Sequence, residues 1–247
     1  MLSDSNMLSD SNMLSDSNML SDSIMGTNMK KPVYKNLTNA VSRRQFLSAA
    51  IGLPLFLLLP KLSLASSAIH SLEGDVYINK RKISAAAKIK SGDKISVSPD
   101  GQLVFSMGGD AFLLRGGSVL KVQSEKDNPL VSSLRLITGG LLAVFEKRAH
   151  PTKIITATAT IGIRGTGVYL RAEPHRLYTC TCYGTTNLSA GHETADITAT
   201  HHNAHVVTTS ENGNVQMQAF EVLDHSDDEL RMLEALVGRT PPFDVTT

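Results

Sequence analysis

From Glu73 to Leu188 the chain is a succession of short apolar runs cut by glycine, and this pattern limits the fold more than any other feature. Val76 and Ile78 alternate with polar neighbours, as do Ile95 and Val97, which is the period of a strand with one buried face. Ser98-Pro99-Asp100-Gly101 reads as a turn, because Pro99 presets one dihedral and Gly101 tolerates a positive one. Further runs follow at Leu103 to Phe105, Phe112 to Leu114, Val119 to Val122, Leu134 to Ile137 and Leu141 to Phe145. Gly108-Gly109, Gly116-Gly117 and Gly139-Gly140 separate them. Turn signals at roughly eight- to twelve-residue spacing between β-favouring runs predict an all-β sandwich or roll, with Gly101, Gly117, Gly140 and Gly165 in turns. Nothing between the runs is long enough for a crossover helix, which excludes a doubly wound α/β fold. Gly162-Ile163-Arg164-Gly165-Thr166-Gly167 is therefore expected to be a bend between strands, with Arg164 held by backbone carbonyls, and not a phosphate loop.

The chain ahead of this region has a different character. Residues 1–24 are the hexapeptide Met-Leu-Ser-Asp-Ser-Asn three times over and a fourth copy ending in Ile24. One leucine per six residues buries no face, so residues 1–40 are expected to be a disordered tail, with Met25 and Met29 as alternative starts. Ser42-Arg43-Arg44-Gln45-Phe46-Leu47 then precedes the apolar run Ala49 to Leu59 and the small-residue exit Ser63-Leu64-Ala65. The run is far shorter than the ~20 residues that span a bilayer, and Pro54 and Pro60 interrupt it. Residues 41–65 thus resemble a twin-arginine export signal, cut after Ala65, which implies periplasmic delivery of an already folded protein with no membrane span left after cleavage.

Residues 66–247 carry 18 basic and 19 acidic residues, so there is no electrostatic case for nucleic acid or an anionic membrane. The absence of tryptophan argues against a stacking platform for bases or sugars. All eight histidines and both cysteines fall in this part, in a compartment where thiols are normally oxidised.

Ser91-Gly92-Asp93-Lys94-Ile95, Asp100-Gly101-Gln102-Leu103, Gly116-Gly117-Ser118-Val119-Leu120 and Thr156 to Thr166, ending in Arg-Gly-Thr, resemble the FecR domain. The likeness covers about residues 70–190 and implies a FecR-like β-domain over residues 66–190. That family is named for a periplasmic sensor with a cytoplasmic sigma-factor segment and a retained membrane helix. Here a repeat tail and a cleavable signal stand in front, so the resemblance implies a free periplasmic domain that binds a protein or small ligand of the cell envelope.

Residues 191–247 form a histidine-rich polar stretch and a helix. Gly191 to Thr209 reads as polar loop and Gln216 to Leu223 as one more strand. Ser226-Asp227-Asp228-Glu229 is a capping box that starts a helix at Asp227. Leu230, Leu233 and Val237 share one face of that helix, and Gly238 with Pro241-Pro242 ends it near Val237.

The constellation with chemistry is Leu177-Tyr178-Thr179-Cys180-Thr181-Cys182-Tyr183. On a strand Cys180 and Cys182 face the same way, roughly 7 Å apart at the backbone, which strains a disulfide but suits two soft ligands on one metal. His192, His201 and His205 follow, and His201 and His205 share a face in helix or strand while His202 does not in a strand. Two sulfurs and two imidazoles complete a tetrahedral set for zinc, and copper or iron also accepts these ligands. A strained disulfide and a pair of inert core cysteines are the other readings of the same residues.

No Gly-x-Ser-x-Gly elbow and no His-Glu-x-x-His helix is present, so no catalytic residue is assigned. The chain reads as an exported, non-catalytic binding or sensing domain with a possible metal at Cys180, Cys182, His192, His201 and His205. A metal-dependent or redox enzyme and a metal-free interaction module are the alternatives.

Overall fold

The computed structural model describes residues 67–124 and 131–245; the hexapeptide repeats and residues 41–65, which resemble an export signal, lie outside the described residues. Among the described residues the fold is all-β with one C-terminal α-helix. The strands are β1 (Ala68–Glu73), β2 (Val76–Ile78), β3 (Arg81–Lys82), β4 (Lys94–Val97), β5 (Gln102–Met107), β6 (Asp110–Leu114), β7 (Val119–Ser124) and β8 (Val131–Val144). They continue with β9 (Thr152–Ile155), β10 (Thr160–Ile163), β11 (Gly167–Ala172), β12 (Arg176–Ala190), β13 (Glu193–Ala199), β14 (Asn203–Thr209) and β15 (Val215–Phe220). Helix α1 spans Asp227–Leu236.

Two sheets share two long strands. One sheet runs β1-β5-β6-β8-β11-β12-β14-β15, and the other β3-β2-β4-β7-β8-β9-β10-β12-β13. Pairing is antiparallel except for β8 with β9. The first half of β8 pairs with β7 and β9, and Leu141 to Val144 pair with β6 and β11. Strand β12 does the converse, pairing with β14 as far as Thr181 and β11 as far as Tyr183, then with β13 from Gly184 and β10 from Thr186.

Each passage from sheet to sheet occurs at a glycine. Gly139 sits at φ +87° and a Cβ there would come within 2.5 Å of the Ser118 Cα. Gly184 sits at φ +85°, with the Thr166 Oγ1 2.9 Å from where its Cβ would be. Both positions need positive φ and close backbone approach, which only glycine meets without strain. The expectation that Gly140 lies in a turn is thus corrected, since Gly139-Gly140 bends one continuous strand. Gly117 and Gly165 do lie at positive φ between strands, and Gly101 closes the Ser98 turn with its N–H on the Ser98 carbonyl at 2.9 Å. Arg164 is exposed at the bend between β10 and β11.

The core has two layers. Leu103, Phe105, Phe112, Leu134, Leu136, Ile161 and Leu170 fill the space between the sheets, with Phe105 and Phe112 stacked at 4.8 Å. Val104, Leu113, Leu142, Tyr169, Tyr178, Cys180, Cys182 and Val206 lie on the other face of the first sheet, where Leu230 and Leu233 of α1 cover them. Strand β6, the second half of β8 and β11, in the middle of that sheet, are thereby buried on both faces, which accounts for continuous apolar runs such as Phe112 to Leu114.

The capping box is present, with the Glu229 N–H on Ser226 Oγ at 3.4 Å and the Ser226 N–H on Glu229 Oε2 at 3.1 Å. Gly238 follows the helix at φ +73°. The stretch Gly191 to Thr209 is not a loop: it holds β13 and β14. Strand β15 ends at Phe220, so Glu221 to Ser226 is free to cross back over the sheet. Among the described residues no helix is long and apolar enough to cross a membrane.

Candidate metal centre

The alternation along β12 turns Tyr178, Cys180 and Cys182 toward α1. Cys180 is opposite Tyr169 of β11 and Ala204 of β14, and the small alanine leaves the sulfur side open. The β12–β14 ladder ends at Thr181 and Asn203, and the His202 N–H extends it by bonding to the Cys182 carbonyl at 2.8 Å. His202 has φ +49°, a turn conformation that releases its ring from strand alternation and points it to the cysteine face.

The second histidine arrives from the crossing segment. The Tyr178 hydroxyl donates to the Glu221 carbonyl at 3.1 Å and accepts from the Leu223 N–H at 2.9 Å. Asp224, at φ +62°, is held by Arg171 at 2.6 Å. His225, immediately before the helix cap, then stacks on Tyr169 with centroids 4.9 Å apart and planes 18° apart.

Cys180, Cys182, His202 and His225 each offer one ligand atom, and the four atoms lie within 4.8 Å of one another. Cys180 Sγ is 3.6 Å from His202 Nδ1, Cys182 Sγ is 3.4 Å from His225 Nε2, and the two nitrogens are 3.2 Å apart. With sulfur at about 2.3 Å and nitrogen at about 2.0 Å from a tetrahedral ion, the edges come to roughly 3.8 Å for S–S, 3.5 Å for S–N and 3.3 Å for N–N. The three measured edges match.

The outer nitrogens are occupied. His225 Nδ1 is 2.7 Å from the Leu223 carbonyl, and His202 Nε2 is 2.9 Å from Asp227 Oδ1. Both acceptors take a proton from the ring nitrogen they face, so each neutral ring turns a lone pair inward. Carbonyl and carboxylate partners of this kind fix the tautomer of metal-bound histidine.

Charge is arranged to match. The Cys182 thiol, ahead of an opposing effect of burial, and then His225 and His202 bring the Cys180 pKa down to about 4. Burial and the Cys180 sulfur push Cys182 well up. Burial works against charge on His225, but the Cys180 sulfur and the Leu223 carbonyl outweigh it and raise its pKa. The pair of sulfurs thus carries one negative charge beside a histidine prepared to hold a positive one. A bound cation supplies that positive charge and takes the second thiol as thiolate.

Of the histidines expected from the sequence, none is in the four-atom cluster. His192 is exposed in the β12–β13 turn, ten residues past Cys182 and beyond the passage of β12 into the other sheet, and is not in the cluster. His205 is opposite Thr179, on the face of β14 away from Ala204 and Cys180, with a buried Nδ1 that has no hydrogen-bond partner. His201 is half-exposed and binds Asp227 at 2.9 and 3.0 Å, making a second group with His202 and Asp227 beside the first. His202, His225 and Asp227 are the residues that sequence reasoning missed. The cysteines are free thiols, both fully buried.

No protein-family model matches the chain, and no curated protein does. Solved structures do: two crystal structures, at 1.65 and 2.50 Å, of a "putative anti-sigma factor" from Parabacteroides distasonis ATCC 8503. Each is 14% identical to this chain over 52% of its length, with a TM-score of 0.44, and the matched region spans 60% of that protein.

Proposed function

We propose that this chain is an exported, non-catalytic binding or sensing domain of the FecR-like kind, and that its ligand is a transition-metal ion held by Cys180, Cys182, His202 and His225. The observation that carries the reading is the convergence of two sulfurs and two inward lone pairs with the edge lengths of a tetrahedral site. Two sulfurs and two imidazoles favour zinc, with copper(I) and iron as competitors. Four protein ligands leave no open position, and both sulfurs are fully buried, so the ion is structural or sensory and not a reaction centre.

Such an ion ties three separate segments together: strand β12, the turn before β14 and the crossing segment before α1. Site formation and the docking of α1 on the sheet are then one event, and that is how metal binding would be read by a partner. The twin-arginine resemblance of residues 41–65 fits this chemistry, since a chain folded before export takes its metal in the cytoplasm. The low pKa of Cys180 beside a second thiol favours the redox reading over the inert-core one, but buried sulfurs offer no approach to a substrate disulfide.

Elemental analysis of protein recovered from the periplasm tests the reading. One metal ion per chain, lost in Cys180→Ser/Cys182→Ser, is expected; metal-free wild-type protein would overturn it. The same preparation should begin at Ser66, and Arg43→Lys/Arg44→Lys should leave precursor in the cytoplasm. Unchanged export of that variant would remove the twin-arginine assignment.

A further inference from the structure

A metal ion reaching the four-ligand site has to pass a wall, because both sulfurs are fully buried and His202 is only 14% exposed. A cavity opens beside the site, and two of its lining residues, His201 and Asp227, are grouped with His202. It has a volume of about 650 Å³ and is lined by Tyr183, Ala199, His201, Asp227, Arg231 and Phe243, among others. Behind these two lining residues His201 Nε2 and His202 Nε2 both meet the Asp227 carboxylate at 2.9 Å. The His201 ring is braced there by Phe243 at 4.8 Å and His202 at 4.4 Å, so its nitrogen is aimed although the residue is 49% exposed.

We infer that His201 and Asp227, with Nε2 of His202, form an entry station that captures a divalent transition-metal ion from the cavity and passes it to the buried site. The inference rests on the metal-binding reading above. The geometry serves two states. With the rings protonated at Nε2 the 2.9 Å separations are hydrogen bonds, and with an ion present they equal the ~3 Å ligand edge of a six-coordinate ion bound at about 2.1 Å. His202 belongs to both groups, with Nε2 on Asp227 and Nδ1 on the Cys180 sulfur. One ring thus separates capture from storage.

The donors set the direction of travel. The outer group has two imidazoles and a carboxylate in contact with solvent, which bind weakly and exchange fast. The inner group adds two sulfurs in place of oxygen, which hold zinc-like ions far more tightly. As the ion moves inward the thiol proton of Cys182 leaves, and the carboxylate and its neighbouring nitrogens return to hydrogen bonding. No oxidation or reduction is involved.

Cobalt(II) loading of the reduced, metal-free full chain, followed by the sulfur-to-cobalt absorption band in stopped flow, tests the station. His201→Ala should slow the appearance of the band by about tenfold, the factor given by ~1.4 kcal/mol of lost encounter stabilisation. Its final amplitude should equal that of wild type. Loss of the band to a chelator should slow by the same factor, leaving the dissociation constant unchanged, and His201→Gln should behave alike. Unchanged rates in these variants with a full band would overturn the station and leave the buried site standing. Absence of the band in wild type would overturn both. A weakened equilibrium affinity with unchanged loading rate would make His201 a supporting residue of the inner site and overturn its role in entry.

Discussion

Nε2 of His225 and Nδ1 of His202 face each other at 3.2 Å, although each ring has its other nitrogen against an oxygen acceptor. Two lone pairs at this distance repel, so the arrangement needs a positive charge between them, either a shared proton or a metal ion. The two cysteine sulfurs on the same side argue for the ion. His202→Ala and His225→Ala should each weaken metal binding by more than the roughly 10- to 100-fold loss typical of changes outside the ligand shell. His192→Ala and His205→Ala should leave affinity unchanged. Competition with a chromophoric chelator measures all four, and equal losses at His192 or His205 would refute the assignment.

Asp227 acts through His202. Its carboxylate holds Nε2 at 2.9 Å and so keeps Nδ1 free for the metal. Asp227→Asn should lower metal affinity by about 10- to 100-fold with stoichiometry still at one. Asparagine also suits the start of a helix, so the thermal midpoint of the metal-free protein should change little. A variant whose metal-free form is strongly destabilised while its affinity is unaltered would show Asp227 to be a helix residue only.

The strand half of this fold was written in the sequence, because period two and glycine spacing are local signals. The same locality explains the misses. Gly139-Gly140 has the composition of a turn, and only the proximity of Ser118, 21 residues away, makes it a bend within β8. Strand β13 hid because it pairs on one side only and its apolar face is two alanines around a single isoleucine, Ala195, Ile197 and Ala199, too weak a signal to read as a strand. At the site, period two placed Cys180 and Cys182 together. No local rule brings His225 to them across 43 residues, since that depends on where Tyr178 anchors the crossing segment. Strand alternation turns His202 away from the cysteines, and that rule fails for a residue at φ +49°.

Gly139→Ala offers a test of the bend. The added Cβ would lie 2.5 Å from the Ser118 Cα, in a backbone conformation that alanine adopts only with strain. The Ser118 hydroxyl also bridges the strand edge, donating to the Gly140 carbonyl and accepting from the Gly140 N–H, both at 2.9 Å. A loss of about 2–4 kcal/mol is expected in urea unfolding, from strain and overpacking together. Metal bound per folded molecule should not change, because the four ligands come from β12, the turn before β14 and the segment before α1, none of which contains Gly139. A stability within ~0.5 kcal/mol of wild type would show that the strand passes between sheets without needing glycine.

Glu229 ties α1 to the sheet through a charge whose pH dependence has a definite sign. Burial works to raise its pKa, but hydrogen bonding and charge from Arg115 prevail and hold the carboxyl below its ordinary value of 4.5. Arg115 contacts both oxygens, at 2.7 and 2.8 Å, while the Ser226 N–H occupies one of them as part of the capping box. A carboxyl with a lowered folded-state pKa binds protons less well when folded than when unfolded. Its contribution is therefore complete above the unfolded value of about 4.5 and is lost as pH falls through the folded value. Glu229→Gln keeps an oxygen for the Ser226 N–H and removes the charge together with one of the two oxygens that accept from Arg115. In metal-free protein it should cost about 1 kcal/mol at pH 7, as expected for a partly buried ion pair. The cost should shrink below pH 4.5 and vanish once the wild-type carboxyl is protonated in both states. Urea titrations of both proteins at pH 7 and pH 3, with chelator throughout, give the comparison. A difference that is constant across this range, or larger in acid, would mean that Glu229 stabilises α1 through its cap alone.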